Sequence, residues 1–266
     1  MELSSAKLAF FSPTGTTRAV VLGIARGFAP QVAEIVDITN PSARLAQLRT
    51  SNDELLIVGV PVYMGRVPAL LREWMQAIEA HQTPTVCVVV YGNRAYENAL
   101  LELQDILTSR GCVPVAGAAY IGEHSFSVHG IPVALGRPDE NDLEHARVFG
   151  MKIGEKLRSI STVLQLPKLK VPGSLPYGGI TELWNVDFIT VDDRCSHCGS
   201  CAEVCPVGAI DPQDSTLIDT QRCVTCCACI KSCARGARSI KPGPVREAQK
   251  RLATLYTEPK RPECFL

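Results

Sequence analysis

Two runs of cysteine stand out in the second half of the chain, because their spacing suits the binding of metal clusters. Both runs have the form C-x2-C-x2-C-x3-C, and their members are Cys195, Cys198, Cys201 and Cys205 in the first and Cys223, Cys226, Cys229 and Cys233 in the second. Three thiolates at such short intervals can meet one face of an iron–sulfur cube from a single tight loop. The runs therefore predict two [4Fe-4S] clusters.

In runs of this kind the fourth cysteine binds the cluster of the other run. We therefore expect two crossed ligand sets, which are Cys195, Cys198, Cys201 and Cys233 for one cluster and Cys223, Cys226, Cys229 and Cys205 for the other. The pattern resembles that of bacterial two-cluster ferredoxins, which implies a small α+β ferredoxin-like domain. Zinc is the alternative, although zinc motifs do not usually use eight cysteines at this pitch.

The second run contains a fifth cysteine. The two runs form an internal repeat at an offset of 28 residues, and in that register Cys227 stands where the first run has Gly199. Cys227 is therefore predicted not to be a ligand. The second run also ends in Cys233-Ala234 where the first ends in Cys205-Pro206, which changes a turn but removes no ligand.

A second candidate site lies near the start of the chain, in the stretch FFSPTGTT at residues 10–17. Its hydroxyls and the unpaired N–H groups of a following helix suit a terminal phosphate group. The stretch has neither the lysine of a nucleoside triphosphate loop nor the G-x-G-x-x-G pattern of a dinucleotide fold. The alternative is an ordinary strand–turn–helix with a threonine cap.

The elements that position these groups alternate over the first 160 residues. The apolar runs predict strands at 6–11, 32–38, 54–60, 85–91 and 113–122, and the helical periods predict helices at 16–28, 67–78, 95–111 and 139–160. The alternation predicts an α/β fold with a doubly wound, five-stranded parallel sheet covered on both faces. Ligands of such sheets bind beyond the carboxyl ends of the strands. The loops at 12–16, 61–67, 92–95 and 122–138 are therefore the candidate site loops.

Residues 5–160 resemble the flavodoxins, on the phosphate loop together with PVYMGRVP at 61–68 and YGNRAYENAL at 91–100. The resemblance implies FMN. By that resemblance the phosphate would be held by Ser12, Thr14, Gly15, Thr16 and Thr17. One side of the flavin ring would be lined by Pro61, Val62, Tyr63, Met64 and Gly65, and the other by Gly92, Asn93, Arg94 and Tyr96. Tyr96 is the best stacking candidate, and a packing role is the alternative for both tyrosines.

The two resemblances together cover nearly the whole chain, which is similar to the fused flavodoxin–ferredoxin proteins of anaerobes (the EFR1 type). We expect a flavodoxin-like FMN-binding domain at 1–162, a linker at 163–187, a ferredoxin-like domain at 188–241 and a polar tail with a short helix at 242–266. His124 could contact the flavin or shuttle a proton, or could be a solvated loop histidine. Arg66 and Cys264 are expected to be surface and tail groups.

Composition limits the function classes. The 266 residues carry no net charge, from 27 Lys+Arg against 27 Asp+Glu, which disfavours a role as an electrostatic nucleic-acid or membrane binder. No apolar stretch suits a signal segment or a membrane span, so we expect a cytoplasmic protein. The leading hypothesis is an electron-transfer flavoprotein that exchanges electrons with a ferredoxin or an oxidoreductase. An FMN-dependent reductase of a small-molecule acceptor, a scaffold without FMN, and a homodimer remain open.

Overall fold

The computed structural model describes residues 1, 3, 5–179 and 185–266. Strands and helices alternate through the first part of the chain, in the order β1 (Ser5–Phe10), α1 (Thr16–Phe28), β2 (Val32–Asp37), β3 (Glu54–Pro61), α2 (Arg72–Gln76), β4 (Thr83–Tyr91), α3 (Ala99–Ser109), β5 (Cys112–Ile121) and α4 (Glu140–Arg158). The five strands are parallel and stand in the order β2-β1-β3-β4-β5. This is the strand order of the flavodoxin-like doubly wound sheet, so the predicted fold class is confirmed.

Alternate residues of the buried strands feed two separate cores, one on each face of the sheet. Helices α2 and α3 cover one face, and α1 and α4 cover the other. The backbones of α1 and α4 approach closely because two glycines lie at their contact. A Cβ on Gly27 would stand 1.7 Å from Arg147 O, and a Cβ on Gly150 would stand 2.0 Å from Ile24 O. These contacts fix the position of α1, which follows the first site loop.

The helix predicted at 67–78 is much shorter than its periodicity suggests. A 3-10 turn at Ala69–Leu71 leads into α2, which ends at Gln76. The chain then turns, and Glu79–Ala80 pairs in parallel with Arg49–Thr50. The apolar period is real, since Trp74 and Met75 are buried, but the chain leaves the helix after Gln76 and turns toward the strand at Glu79–Ala80. The prediction for this element is wrong in length.

The cysteine-rich part of the chain forms a small α+β unit with its own core. It contains β6 (Ile189–Val191), α5 (Ser200–Glu203), α6 (Ala228–Lys231) and β7 (Arg238–Ile240), and β6 pairs antiparallel with β7. The helix α7 (Pro244–Leu255) and the strand β8 (Glu263–Phe265) follow. Phe188, Ile240 and Val245 pack in this core with several of the thiols.

The segment predicted as a polar tail returns to the first domain. Strand β8 pairs antiparallel with β5, which adds a sixth strand to the edge of the sheet. Cys264 therefore lies in the sheet, and its Sγ stands 3.7 Å from the hydroxyl of Tyr120. The short helix predicted in this segment is α7.

The predicted linker is bound along helix α3 for much of its length. Gln104 Nε2 donates to Leu169 O at 3.2 Å, Ser174 N–H donates to Asn98 Oδ1 at 2.8 Å, and the Tyr177 hydroxyl donates to Asp105 Oδ2 at 2.6 Å. Residues 180–184 of this segment lie outside the described residues. No helix in the part of the chain that the structure describes is long and apolar enough to cross a membrane.

Candidate functional site

A cavity of about 610 Å³ lies at the carboxyl ends of β1, β3, β4 and β5. The residues that line it at or just after the ends of these four strands include Ser12, Pro61, Gly92 and Gly122. Its volume is in the range of small-molecule and cofactor sites, and its place is where ligands bind in doubly wound sheets. The four loops that the sequence singled out therefore meet around one cavity.

The first loop leaves a polar group and a helix end available to a ligand. Ser12, Thr14, Thr16 and Thr17 line the cavity. Gly15 does not line it; it is the N-cap of α1 with φ of 83°, and Ser12 Oγ accepts a hydrogen bond from Arg18 N–H in the first turn at 3.0 Å. Thr17 Oγ1 is buried and has no hydrogen-bond partner in the described part of the chain. A buried, unpaired hydroxyl at a helix N-terminus fits a phosphate group.

The second loop lines the cavity along its whole predicted length, from Pro61 to Gly65. Its turn is closed by paired backbone hydrogen bonds between Tyr63 and Arg66, each 3.0 Å long. Arg66 points away into a paired contact with Glu102, where its Nη2 lies 2.7 Å from Glu102 Oε1. Arg66 is therefore held by an ion pair rather than standing alone as a surface arginine.

The third loop is divided between the cavity and another role. Gly92 and Arg94 line the cavity, whereas Asn93 and Tyr96 do not. Asn93 is 3% exposed, and its Nδ2 donates to Tyr256 O at 2.8 Å and to Glu258 O at 2.9 Å. The Tyr96 hydroxyl donates to Glu263 Oε2 at 2.8 Å. These two side chains hold the C-terminal segment instead of facing the cavity.

His124 lies on the cavity wall in the fourth loop. Its Nδ1 accepts a hydrogen bond from Phe126 N–H at 3.0 Å, so the proton of the neutral ring is on Nε2. Burial lowers the pKa of His124 to about 4, with further lowering by the charges of Lys231 and Arg94. The imidazole is therefore neutral near pH 7. Gly92 is required beside it, because a Cβ there would lie 2.2 Å from His124 Cδ2.

Several cavity residues come from parts of the chain that sequence reasoning did not connect with this site. Val224 and Thr225, from the second cysteine loop, line it, and so do Arg251, Leu252, Leu255 and Tyr256 at the end of α7. The rule that ligands bind beyond the carboxyl ends of the strands (the strand-end rule) points only to the loops of the sheet. It gives no signal for a wall supplied from 160 residues further along the chain.

The second cysteine loop surrounds a small cavity of its own. The thiol-bearing residues on its wall are Cys205, Cys223, Cys226, Cys227 and Cys229. Four of these are the set that the sequence assigned to one cluster, including Cys205 from the first run. Burial raises the pKa of Cys229 to about 12, and the nearby thiolates of Cys223, Cys205 and Cys201 act in the same direction. This convergence of soft donors fits an iron–sulfur cluster.

The repeat in the sequence is also a repeat in the backbone. Residues 197 and 199 have φ of 52° and 79°, and their counterparts 225 and 227 have φ of 52° and 58°. Ala209 N–H donates to Cys205 Sγ at 3.2 Å, and Ala237 N–H donates to Cys233 Sγ at 3.3 Å. Hydrogen bonds of this kind orient and tune thiolate ligands. Among the described residues, no three His, Cys, Asp or Glu side chains form a group that could hold a single metal ion.

A family model described as a 4Fe-4S binding domain matches residues 188–211, which contain the whole first cysteine run. The chain joins a flavodoxin-like fold to a 4Fe-4S binding region. No curated protein matches it in sequence.

Several solved structures resemble the first part of the chain at a distance. A flavodoxin from the domain Archaea is 15% identical with a TM-score of 0.41, over 58% of this chain and 99% of that one. A WrbA-like flavodoxin from Agrobacterium tumefaciens is 17% identical with a TM-score of 0.39, over 59% and 98%. Flavodoxin 2 from Bacillus cereus is 17% identical with a TM-score of 0.40, over 57% and 99%. The strand order, rather than these likenesses, establishes the fold.

Proposed function

We propose that this protein is an electron-transfer iron–sulfur flavoprotein with FMN in the large cavity and a [4Fe-4S] cluster at each of the two crossed cysteine sets. FMN carries one or two electrons whereas each cluster carries one, so such a chain converts between one-electron and two-electron carriers. The protein contributes the spacing, orientation and electrostatics of these groups.

The observation that carries the proposal is a wall shared by the two sites. Val224 and Thr225 lie between Cys223 and Cys226 in sequence, and both line the large cavity. Burial raises the pKa of Tyr63 well above its usual value, and the neighbouring thiolates of the second run raise it further. Tyr63 is thus close to both sites. A short path within one chain is what single-electron transfer between the two groups requires.

The residues around the cavity suit FMN in distinct ways. The N-terminus of α1 and the hydroxyls of Ser12, Thr14, Thr16 and Thr17 would bind the phosphate. The loops at 61–65 and 92–94 would flank the ring. His124 would present a fixed N–H at Nε2, because its Nδ1 is occupied by Phe126 N–H. Together with the apolar side chains of α7, these groups would restrict water around the cofactor.

The first cysteine run suggests where electrons enter. Cys198 is exposed, whereas its counterpart Cys226 in the second run is buried. A cluster held by the first run would lie nearer the surface and accept electrons from a ferredoxin or another redox protein. The second cluster would then relay them to the cavity. We place this activity in the cytoplasm, where thiols stay reduced.

A second candidate is an FMN-dependent reductase of a small-molecule acceptor, fed through the same clusters. The observation in its favour is the apolar wall that Phe126, Leu252 and Leu255 add to the cavity beyond the predicted FMN loops. Such a wall could receive a quinone or a nitro compound.

Anaerobic purification tests the proposal. We expect about one FMN on extraction and about eight iron per chain, and rapid mixing with reduced ferredoxin should bleach the clusters before the flavin. A chain with iron but almost no flavin would contradict the proposal and favour a scaffold. Steady turnover of a quinone or nitro compound would select the reductase, whereas rapid exchange with protein carriers alone would select the shuttle.

A further inference from the structure

The end of helix α7 forms one wall of the large cavity. We call this the C-terminal wall; it consists of Arg251, Leu252, Leu255 and Tyr256. Leu252 is mostly buried and Leu255 is exposed at the rim. No loop of the sheet contributes this wall, so the cavity is complete only while α7 is docked.

A set of hydrogen bonds from the third site loop holds the chain just after this wall. The amide of Asn93 donates to the carbonyls of Tyr256 and Glu258, and its Oδ1 accepts from Lys260 N–H at 3.1 Å. Lys260 Nζ also donates to Arg94 O. Asn93 achieves this with φ of 62°, which costs less for asparagine than for most residues. The loop that flanks the cavity therefore positions Tyr256 directly.

The C-terminal wall is also fixed at its other end, by the small α+β unit of the cysteine-rich part of the chain (the cluster-binding unit). Val245 is fully buried in the core of that unit, and Gln249, also fully buried, donates from its side chain to Phe126 O in the fourth site loop. Beyond the wall, the Tyr96 hydroxyl binds Glu263 and β8 joins the sheet. Both ends of the segment are thus anchored, and the wall between them is rigid.

We infer that the C-terminal wall belongs to the cofactor site, and that Tyr256 supplies the aromatic contact to the flavin ring. This rests on the proposed binding of FMN. Tyr96, the stacking candidate from the sequence, has its hydroxyl bound to Glu263 and does not line the cavity. Tyr256 lines it and has its backbone carbonyl held in place by Asn93. A flat ring packs well on an aromatic side chain, and the fixed backbone at Tyr256 limits the conformational freedom that is lost on binding.

The test is FMN affinity in the full-length protein with its clusters present, measured by flavin fluorescence after removal and re-addition of FMN. We expect Tyr256→Ala to raise the Kd about tenfold, and Tyr256→Phe to restore most of the affinity. The matched control is Thr254→Ala, which lies two residues away, does not line the cavity and bonds only to its own helix at Lys250 O. Its Kd should equal that of the unchanged chain.

Hydrogen exchange gives a second measurement that does not depend on a variant folding well. FMN should slow the exchange of the amides of residues 251–256 in the unchanged chain. An unchanged Kd in Tyr256→Ala, with no slowing of exchange at 251–256, would overturn the inference while leaving the proposed function intact. Failure of the unchanged chain to bind FMN would overturn the proposed function itself, and this inference with it.

Discussion

The two cysteine runs have the same backbone and different surroundings. In the first run Cys198 is exposed and its pKa is lowered, chiefly by a hydrogen bond to Ser200. In the second run its counterpart Cys226 is buried, and the loop between Cys223 and Cys226 borders the large cavity. An internal repeat has thus produced one loop that faces solvent and one that faces the candidate cofactor site.

The difference extends to charge. In the repeat register Ile210 of the first half corresponds to Arg238 of the second, and both are buried. Arg238 Nη1 has no hydrogen-bond partner among the described residues, and the guanidinium lowers the pKa of Cys229 against the larger effect of burial. A buried cation beside only one of two similar sites would give the two clusters different reduction potentials. The ligands are thus duplicated, whereas the charges around them are not.

The largest effect is expected from Cys205→Ala, which removes the crossed ligand of the second site. Cys205 belongs to the first run in sequence, yet it lines the cavity of the second. We expect loss or degradation of the second cluster and a fall in flavin reduction by reduced ferredoxin of about 100-fold, since the relay is interrupted. Iron content, electron paramagnetic resonance and rapid mixing check this. Damage confined to the first cluster would refute the crossed assignment.

A smaller effect should come from pH, because His124 on the cavity wall changes its charge as the pH falls. The folded pKa of His124 lies near 4, below the usual 6.5. Because the folded protein holds the neutral ring of His124, the free energy of unfolding is highest above pH 6.5. It falls as the pH drops from 6.5 toward 4. At pH 5.5 the loss should be about 1.4 kcal/mol.

Urea unfolding under anaerobic conditions at pH 7.5 and 5.5 measures this loss. The variant His124→Gln should show a weaker dependence on pH than the unchanged chain. An equal dependence in both proteins would mean that His124 does not titrate as a buried group.

An effect of similar size is expected from replacing Arg238. Replacing it with glutamine removes the positive charge that acts on Cys229 of the second site. The second cluster should become harder to reduce by about 60 mV, which corresponds to roughly 1.4 kcal/mol for one electron. Potentiometric titration of both clusters is the measurement, and Arg238→Lys, which keeps the charge, is the control. Equal shifts in both clusters would contradict a local role for this charge.

The smallest effects are expected from a matched pair at the fifth cysteine. Cys227 and Gly199 both begin a helix in the left-handed region, so Cys227→Gly removes backbone strain and a buried thiol together. We expect both clusters to persist and stability to change by less than about 1 kcal/mol. Gly199→Ala should destabilise by about 1 kcal/mol through φ alone, because its Cβ would meet no atom within 4 Å. Loss of a cluster in Cys227→Gly would make Cys227 a ligand.

Much of this arrangement could be predicted from the sequence because local patterns encode it. The runs ELLIVGV and TVCVVVY are apolar enough to be recognised as buried strands, and the strand-end rule then locates the site loops. The cysteine spacing alone brings three thiolates of each run to one face of a cluster. These features depend on neighbours a few residues apart.

The rest could not be predicted because it depends on contacts between distant residues. The three residues of β8 have no recognisable period, and they form a strand only because the edge of β5 is available. Asn93 and Tyr96 lie in a loop that resembles a flavin-binding loop, yet their partners are 160 or more residues away. The period of α2 likewise could not reveal the strand pairing that follows it at Glu79–Ala80.

The pairing of β8 with β5 has a mechanical consequence. The chain leaves the sheet after α4, builds the cluster-binding unit, and returns to the edge of the same sheet. That unit is therefore inserted into the first domain and connected to it at two points. A unit connected by one flexible linker could move away from the first domain to reach distant partners. A unit tethered at two points keeps its distance to the cavity, so partners must come to it.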